Sequence, residues 1–323
     1  MSAGSAVQAV VDLGGEPVLS LLDRVERRMA ELAGGHGPLL GRYAGETIAA
    51  GGKRLRPLLV GLAAGAPPPE SDGLFHAAVA VELVHAATLV HDDVLDGSSL
   101  RRGQPTVFAA GGRSLATATG DLLFSRAFAE LADAGAVASV RALSRASSEL
   151  AEGELMQRAD AFDAGISIER YLERSRLKTA VLFRAACELG ALEVDGEVEP
   201  LGRFGEQIGM AFQILDDVLD ITGPPERTGK PRGADVLDGT VTLPMILARD
   251  SDPELASLDL RLIRTPAEAA GVCDRIAATG ATEATRVRAL ELVSAAKVEL
   301  PPLPDRQRAA LELVADGVVE RYA

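Results

Sequence analysis

LVHDDVLDGSSLRRG, residues 89–103, and FQILDDVLDITG, residues 212–223, contain the same pentapeptide, DDVLD, at 92–96 and 216–220. Each copy sets three carboxylates in otherwise apolar, helix-forming sequence, so each needs a positive partner. On a helix Asp92 and Asp96 stand one turn apart on one face, as do Asp216 and Asp220, while Asp93 and Asp217 lie about 100° round. A break follows each copy, Gly97-Ser98-Ser99 in the first case and Gly223-Pro224-Pro225 in the second. The carboxylates therefore fall in the last helical turns, where the helix dipole disfavours anions.

A run of charge is ordinarily a solvated face. Here Val94, Leu95, Val218 and Leu219 separate the aspartates, and ATLV (87–90) and AFQIL (211–215) precede them, which predicts a largely buried neighbourhood. Oxygen donors without His or Cys at the same spacing suit a hard cation such as Mg2+, whose remaining positions go to water and substrate phosphates. The expected partner is metal plus diphosphate. Cations accompany the clusters, as that expectation requires: Lys53, Arg54 and Arg56 in GGKRLRP, Arg101 and Arg102 in LRRGQPT, Lys178 in RLKTA, and Lys230 and Arg232 in TGKPRGAD.

Ala, Leu, Arg and Glu dominate between Gly/Pro breaks, and apolar residues recur at helical spacing, which predicts an all-α fold. Helices are expected over 17–33, 39–50, 55–64, 72–96, 113–132, 136–161, 167–190, 199–221 and 242–249, with three or four more to the end. No composition shift or internal repeat divides the chain, so residues 1–323 read as one helical domain with a flexible opening segment. An excess of 47 acidic over 33 basic residues disfavours nucleic acid as a partner. Cys187 and Cys273 stand far apart with no zinc spacing and read as packing residues in a reducing, cytoplasmic setting. The N-terminus lacks a basic signal-peptide region. The most apolar run, 74–93, is interrupted by Glu82 and His85, so no membrane span is expected, only peripheral contact during product release.

In sequence order, GGKRLRP, the stretch His85 to Asp96, RRGQPT (101–106), Gly120-Asp121, Gln157, Lys178-Thr179, Phe212 to Asp220, and Gly229 to Asp235 together resemble the trans-isoprenyl diphosphate synthases, or polyprenyl synthetases. The resemblance implies the all-α isoprenoid synthase fold, an antiparallel helical bundle around a central cavity, and a homodimer. It implies Mg2+, three ions per site, with Asp92, Asp96 and Asp216 as principal ligands supported by Asp93, Asp217 and Asp220. Arg101, Lys178, Gln213 and Lys230 would hold an allylic diphosphate; Lys53, Arg56, His85 and Arg102 would hold isopentenyl diphosphate. Thr179 and Gln213 would steady a developing carbocation. One departure stands out: Thr240, in GTVTLP, replaces a lysine common in the family. His91 reads as structural and Gln157 as a supporting group.

For product length, the helix ending at Asp92 is expected to form a cavity wall, with Ala87, Val84, Leu83 and Ala80 on it and no aromatic before Phe75. Each helical turn covers about 5.4 Å, close to one isoprene unit. A small residue at 87 resembles the long-chain type, which implies a product beyond twenty carbons, unless Phe124 or Phe128 sets the floor. A short-chain farnesyl or geranylgeranyl diphosphate synthase is the alternative. A class I terpene cyclase fits less well, because 8 Phe, 3 Tyr and no Trp give a thin aromatic lining. A noncatalytic synthase subunit fits less well too, since both clusters are intact.

Overall fold

The computed structural model describes residue 10 and residues 12–34, 37–49, 54–101, 103–223 and 232–320. The described residues are helical almost throughout: α1 (Glu16–Gly34), α2 (Gly37–Ala49), α3 (Leu55–Ala64), α4 (Asp72–Leu95), α5 (Val107–Asp133), α6 (Val137–Ala159), α7 (Ile168–Ser175), α8 (Val181–Leu192) and α9 (Val198–Thr222). Beyond these come α10 (Ala234–Leu237), α11 (Leu243–Arg249), α12 (Pro253–Ala256), α13 (Pro266–Ala278), α14 (Ala281–Val298) and α15 (Asp305–Glu320). A two-residue hairpin pairs Leu100–Arg101 with Gln104–Pro105.

The helix α4 is the spine. Ser71 caps it by accepting the N–H of Leu74, and nearly every side chain from Leu74 to Ala87 is buried against α5, α3 and α8. Among the described helices it is long and apolar enough to cross a membrane by length and composition, with a mean hydropathy of 1.6, yet 67% of that window is buried inside the bundle. Burial over most of its circumference is what a largely apolar helix achieves in a protein core. The second acidic helix, α9, packs on α8 and α14, so α8 separates the two spines below while their C-terminal ends meet the same cleft.

Two elements depart from the sequence expectation. Helix α5 starts six residues earlier than expected, at Val107, because Thr106 accepts the N–H of Ala109 and caps it. The pair Gly111-Gly112, just ahead of the expected start, bends the helix, with Gly112 at φ 76°. The expected helix 167–190 is two helices, α7 and α8, joined by a π-helical turn over Arg176–Ala180, a feature that tends to occur at functional sites. Gly153 of α6 explains how the turn is held: a Cβ there would meet the Lys178 nitrogen at 2.6 Å and the Leu177 carbonyl carbon at 2.8 Å. Only a residue without a side chain lets the two backbones approach so closely.

Candidate active site

A cleft of about 290 Å³ lies between the C-terminal ends of α4 and α9. From α4 it receives His85, Thr88, Leu89 and Asp92, with Asp96 at the helix cap; this is the spacing of one helical face. From α9 come Phe212, Gln213, Asp216 and Asp217. Thus Asp92, Asp96, Asp216 and Asp217 share one cleft from facing helices. Asp93 and Asp220 do not line it. Asp93 is buried and accepts two hydrogen bonds from Arg101, Nη2 at 2.9 Å and Nε at 3.0 Å. Asp220 accepts the N–H groups of Ala234 and Asp235 at 3.1 and 3.3 Å, so it caps the short α10.

The expected cations divide in the same way. Arg56, Arg101 and Lys178 line the cleft, as do His85 and Gln213. Lys53, Arg102 and Lys230 lie outside the described residues. Arg54 does not join the cleft: it bonds Glu82 at 2.9 Å, the carbonyl of Ile48 at 3.0 Å, and Glu26, tying α1, α2 and α4 together. Arg232 is likewise diverted, to Asp274 at 2.6 Å and the Ile221 carbonyl. Arg56 lies 4.7 Å over the Phe183 ring, and its Nε is buried with no hydrogen-bond partner among the described residues. Burial lowers its pKa to about 10, so it stays cationic at neutral pH and keeps a donor without an acceptor.

Four side chains form a chain of hydrogen bonds across the site. Thr179 Oγ1 donates to Gln213 Oε1 at 2.7 Å, Gln213 Nε2 donates to Asp217 Oδ1 at 2.8 Å, and Tyr171 Oη donates to Asp217 Oδ2 at 2.5 Å. Burial pushes the Asp217 carboxyl up to about 8, helped by the nearby Asp235 and opposed by the Tyr171 and Gln213 bonds. Burial and Asp235 push Asp220 up to about 8 as well. Asp92, half-buried at the rim, is raised by burial to about 6 despite the Lys178 ammonium nearby. These acids are strained as bare anions, and a bound cation is what relieves such strain.

Sequence reasoning missed Tyr171, Arg158, Arg174 and Asp238 and gave Asp235 no role beyond closing a motif; all five line the cleft. Tyr171 stands seven residues before Lys178, two helical turns on the same face, a signal that was available. Arg174 is buried, donates to the carbonyl of Val241 and lies 3.6 Å from Asp160; no local pattern announces it. Gln157 and Thr240 also line the cleft. His91 stacks on Phe124 at 5.8 Å and pairs with Asp121 at 3.3 Å, away from the cleft, in keeping with a structural role. Cys187 is fully buried, as is Cys273.

Among the described residues no three acidic or imidazole groups converge on one point. The donor set still fits Mg2+, which takes one or two carboxylates and fills its octahedron with water and phosphate oxygens. Asp92 and Asp96 on one wall and Asp216 on the other offer that arrangement. Ala87, Val84, Leu83 and Ala80 are fully buried and do not line the cleft. They stand four, seven, eight and eleven residues before His91, and so share its face toward α5, which carries Phe124 and Phe128.

The family model described as polyprenyl synthetase matches residues 38–279, three quarters of the chain and all of the cleft. The chain belongs to the polyprenyl synthetase family. It is a prenyltransferase. This synthetase is 42% identical over 253 residues to heptaprenyl diphosphate synthase component 2 of Geobacillus stearothermophilus, covering 77% of this chain and 78% of that one. It is 36% identical to the octaprenyl diphosphate synthase of Escherichia coli, covering 85% and 87% of the two chains. A crystal structure of the Caulobacter crescentus polyprenyl synthase, complexed with calcium and isoprenyl diphosphate, superposes with a TM-score of 0.90 at 37% identity and 98% coverage of both chains.

Proposed function

We propose that the cleft condenses isopentenyl diphosphate head-to-tail with an allylic diphosphate and elongates it beyond twenty carbons. The observation that carries this reading is the facing pair of acidic helix ends with cations of fixed position around them. Magnesium, bound by Asp92, Asp96 and Asp216, would supply Lewis-acid neutralisation of the departing diphosphate. Lys178 and Arg101 would bind the allylic diphosphate, and Arg56, with its unsatisfied Nε, the second diphosphate. Thr179 and Gln213, hydrogen-bonded to each other in the cleft, would stabilise the positive charge that develops on the allylic carbon. The double bond of isopentenyl diphosphate then forms the new carbon–carbon bond, and a proton leaves with the released diphosphate. The relatives named heptaprenyl and octaprenyl synthases support the length.

The test is incubation of the purified chain with isopentenyl diphosphate, Mg2+ and allylic primers of increasing length, followed by chromatography of the products. Asp92→Ala and Asp216→Ala should each lower turnover at least about a thousandfold, as expected when transition-state charge stabilisation is removed, with an unchanged circular dichroism spectrum. Full activity in either variant would refute the reading. A second reading, favoured by the relative named component 2, is that the chain works with a partner subunit rather than as a homodimer. Turnover by the purified chain alone argues against it.

A further inference from the structure

Arg158 reaches into the cleft from the last turn of α6. Its Nη2 lies 2.6 Å from Asp96 Oδ1, and its Nε donates to Glu154 Oε1 at 3.0 Å. The other oxygen of Glu154 accepts Lys178 Nζ at 2.6 Å. One carboxylate thus holds two cations side by side on the same wall. Glu154 is only 16% exposed, whereas the Arg158 side chain is 40% exposed, more than Arg101 (28%), Lys178 (25%) or Arg174 (4%). Arg158 is the most accessible of these four cations.

We infer that Arg158 is a diphosphate-binding residue that exchanges Asp96 for the substrate. The inference rests on the proposed function above, with Asp96 committed to a cation when substrate is present. A divalent ion that takes Asp96 removes one partner of the guanidinium but leaves the other, because the Nε bond to Glu154 keeps the plane fixed. The Nη groups then form a planar fork facing the cleft, and such a fork matches two phosphate oxygens. Lys178, held by the same glutamate, contributes a point charge to the same anion. A purely structural i, i+4 pair with Glu154 would contribute little and would not require the contact with Asp96.

Isothermal titration of inorganic diphosphate into the protein at fixed Mg2+ tests the inference directly. Arg158→Leu should weaken binding about tenfold, the loss expected for a hydrogen bond to a charged group, and Arg158→Lys should fall between the two. In turnover assays the KM for the allylic substrate should rise by a similar factor while kcat changes by less than about threefold, the signature of lost uniform binding. Wild-type affinity for diphosphate in Arg158→Leu overturns the inference, as does a fall in kcat with KM and diphosphate binding unchanged. Arg158→Lys retains the charge and the reach, so a folding defect in the leucine variant leaves the comparison intact. If the wild type binds diphosphate with Mg2+ but forms no prenyl product, the proposed function fails and this inference does not.

Discussion

At the scale of single residues, the site depends on carboxylates whose neighbours decide what each of them does. Identical pentapeptides place their middle aspartates in opposite circumstances: Asp93 meets the guanidinium of Arg101, whereas Asp217 is buried against Tyr171 and Gln213. The Tyr171 hydroxyl is a strong donor to a crowded acid. Tyr171→Phe should therefore lower stability by about 1–3 kcal/mol, the cost of leaving a buried acceptor unpaired. It should also lower kcat about tenfold, because Asp217 positions Gln213 and Gln213 positions Thr179. Thermal unfolding and steady-state kinetics measure the two effects, and a variant within twofold of wild type on both counts would show that the hydroxyl is dispensable. The sequence makes the shared cleft of Asp92, Asp96, Asp216 and Lys178 legible through local spacing and motif order, but not the diversion of Asp93 to Arg101 or of Asp220 to the N–H groups of α10. It hides Arg158, whose partner Asp96 is 62 positions away, and it gives no sign that Arg54 turns inward while Arg56 lines the cleft.

At the scale of elements, most helix positions were legible from apolar spacing between Gly/Pro breaks, whereas the start of α5 at Val107, set by the Thr106 cap, was not. The bend at Gly112 and the π turn were not, since both arise from packing. The turn exists where α6 presses on Leu177 and Lys178, and periodicity does not report such contact. Helix α4 carries polar chemistry on one face and small apolar residues on another, directed at α5. Ala87 has no exposure, and it stands one turn before the His91–Phe124 stack. Ala87→Phe should drive a ring between α4 and α5 and shorten the product by at least one isoprene unit, about 5 Å per helical turn. Chromatography of the prenyl products is the readout. An unchanged distribution would place the floor on another pair of helices.

At the scale of the whole molecule, the all-α class follows from composition and periodicity, and the cleft follows from bringing two distant helix ends together. The arrangement carries an electrostatic liability in the absence of metal. Asp92, Asp217 and Asp220 have folded-state pKa values raised from 3.8 to about 6, 8 and 8. They retain protons in the fold that the unfolded chain releases, so between about pH 4 and pH 8 the native state binds more protons and stability falls as pH rises. The metal-free protein should accordingly lose several degrees of Tm between about pH 5.5 and pH 8.5, and Asp217→Asn should flatten the slope. Scanning calorimetry across that range checks it; a Tm that climbs with pH would mean these acids are ionised in the fold.

The backbone contact at Gly153 has a mechanical consequence. With no side chain between α6 and the turn that bears Lys178, nothing soft cushions the joint. A tilt of that helix is passed to the main chain that bears Lys178, so, on the proposed function, the accuracy of the grip on the leaving group would be set by how two stretches of main chain are seated.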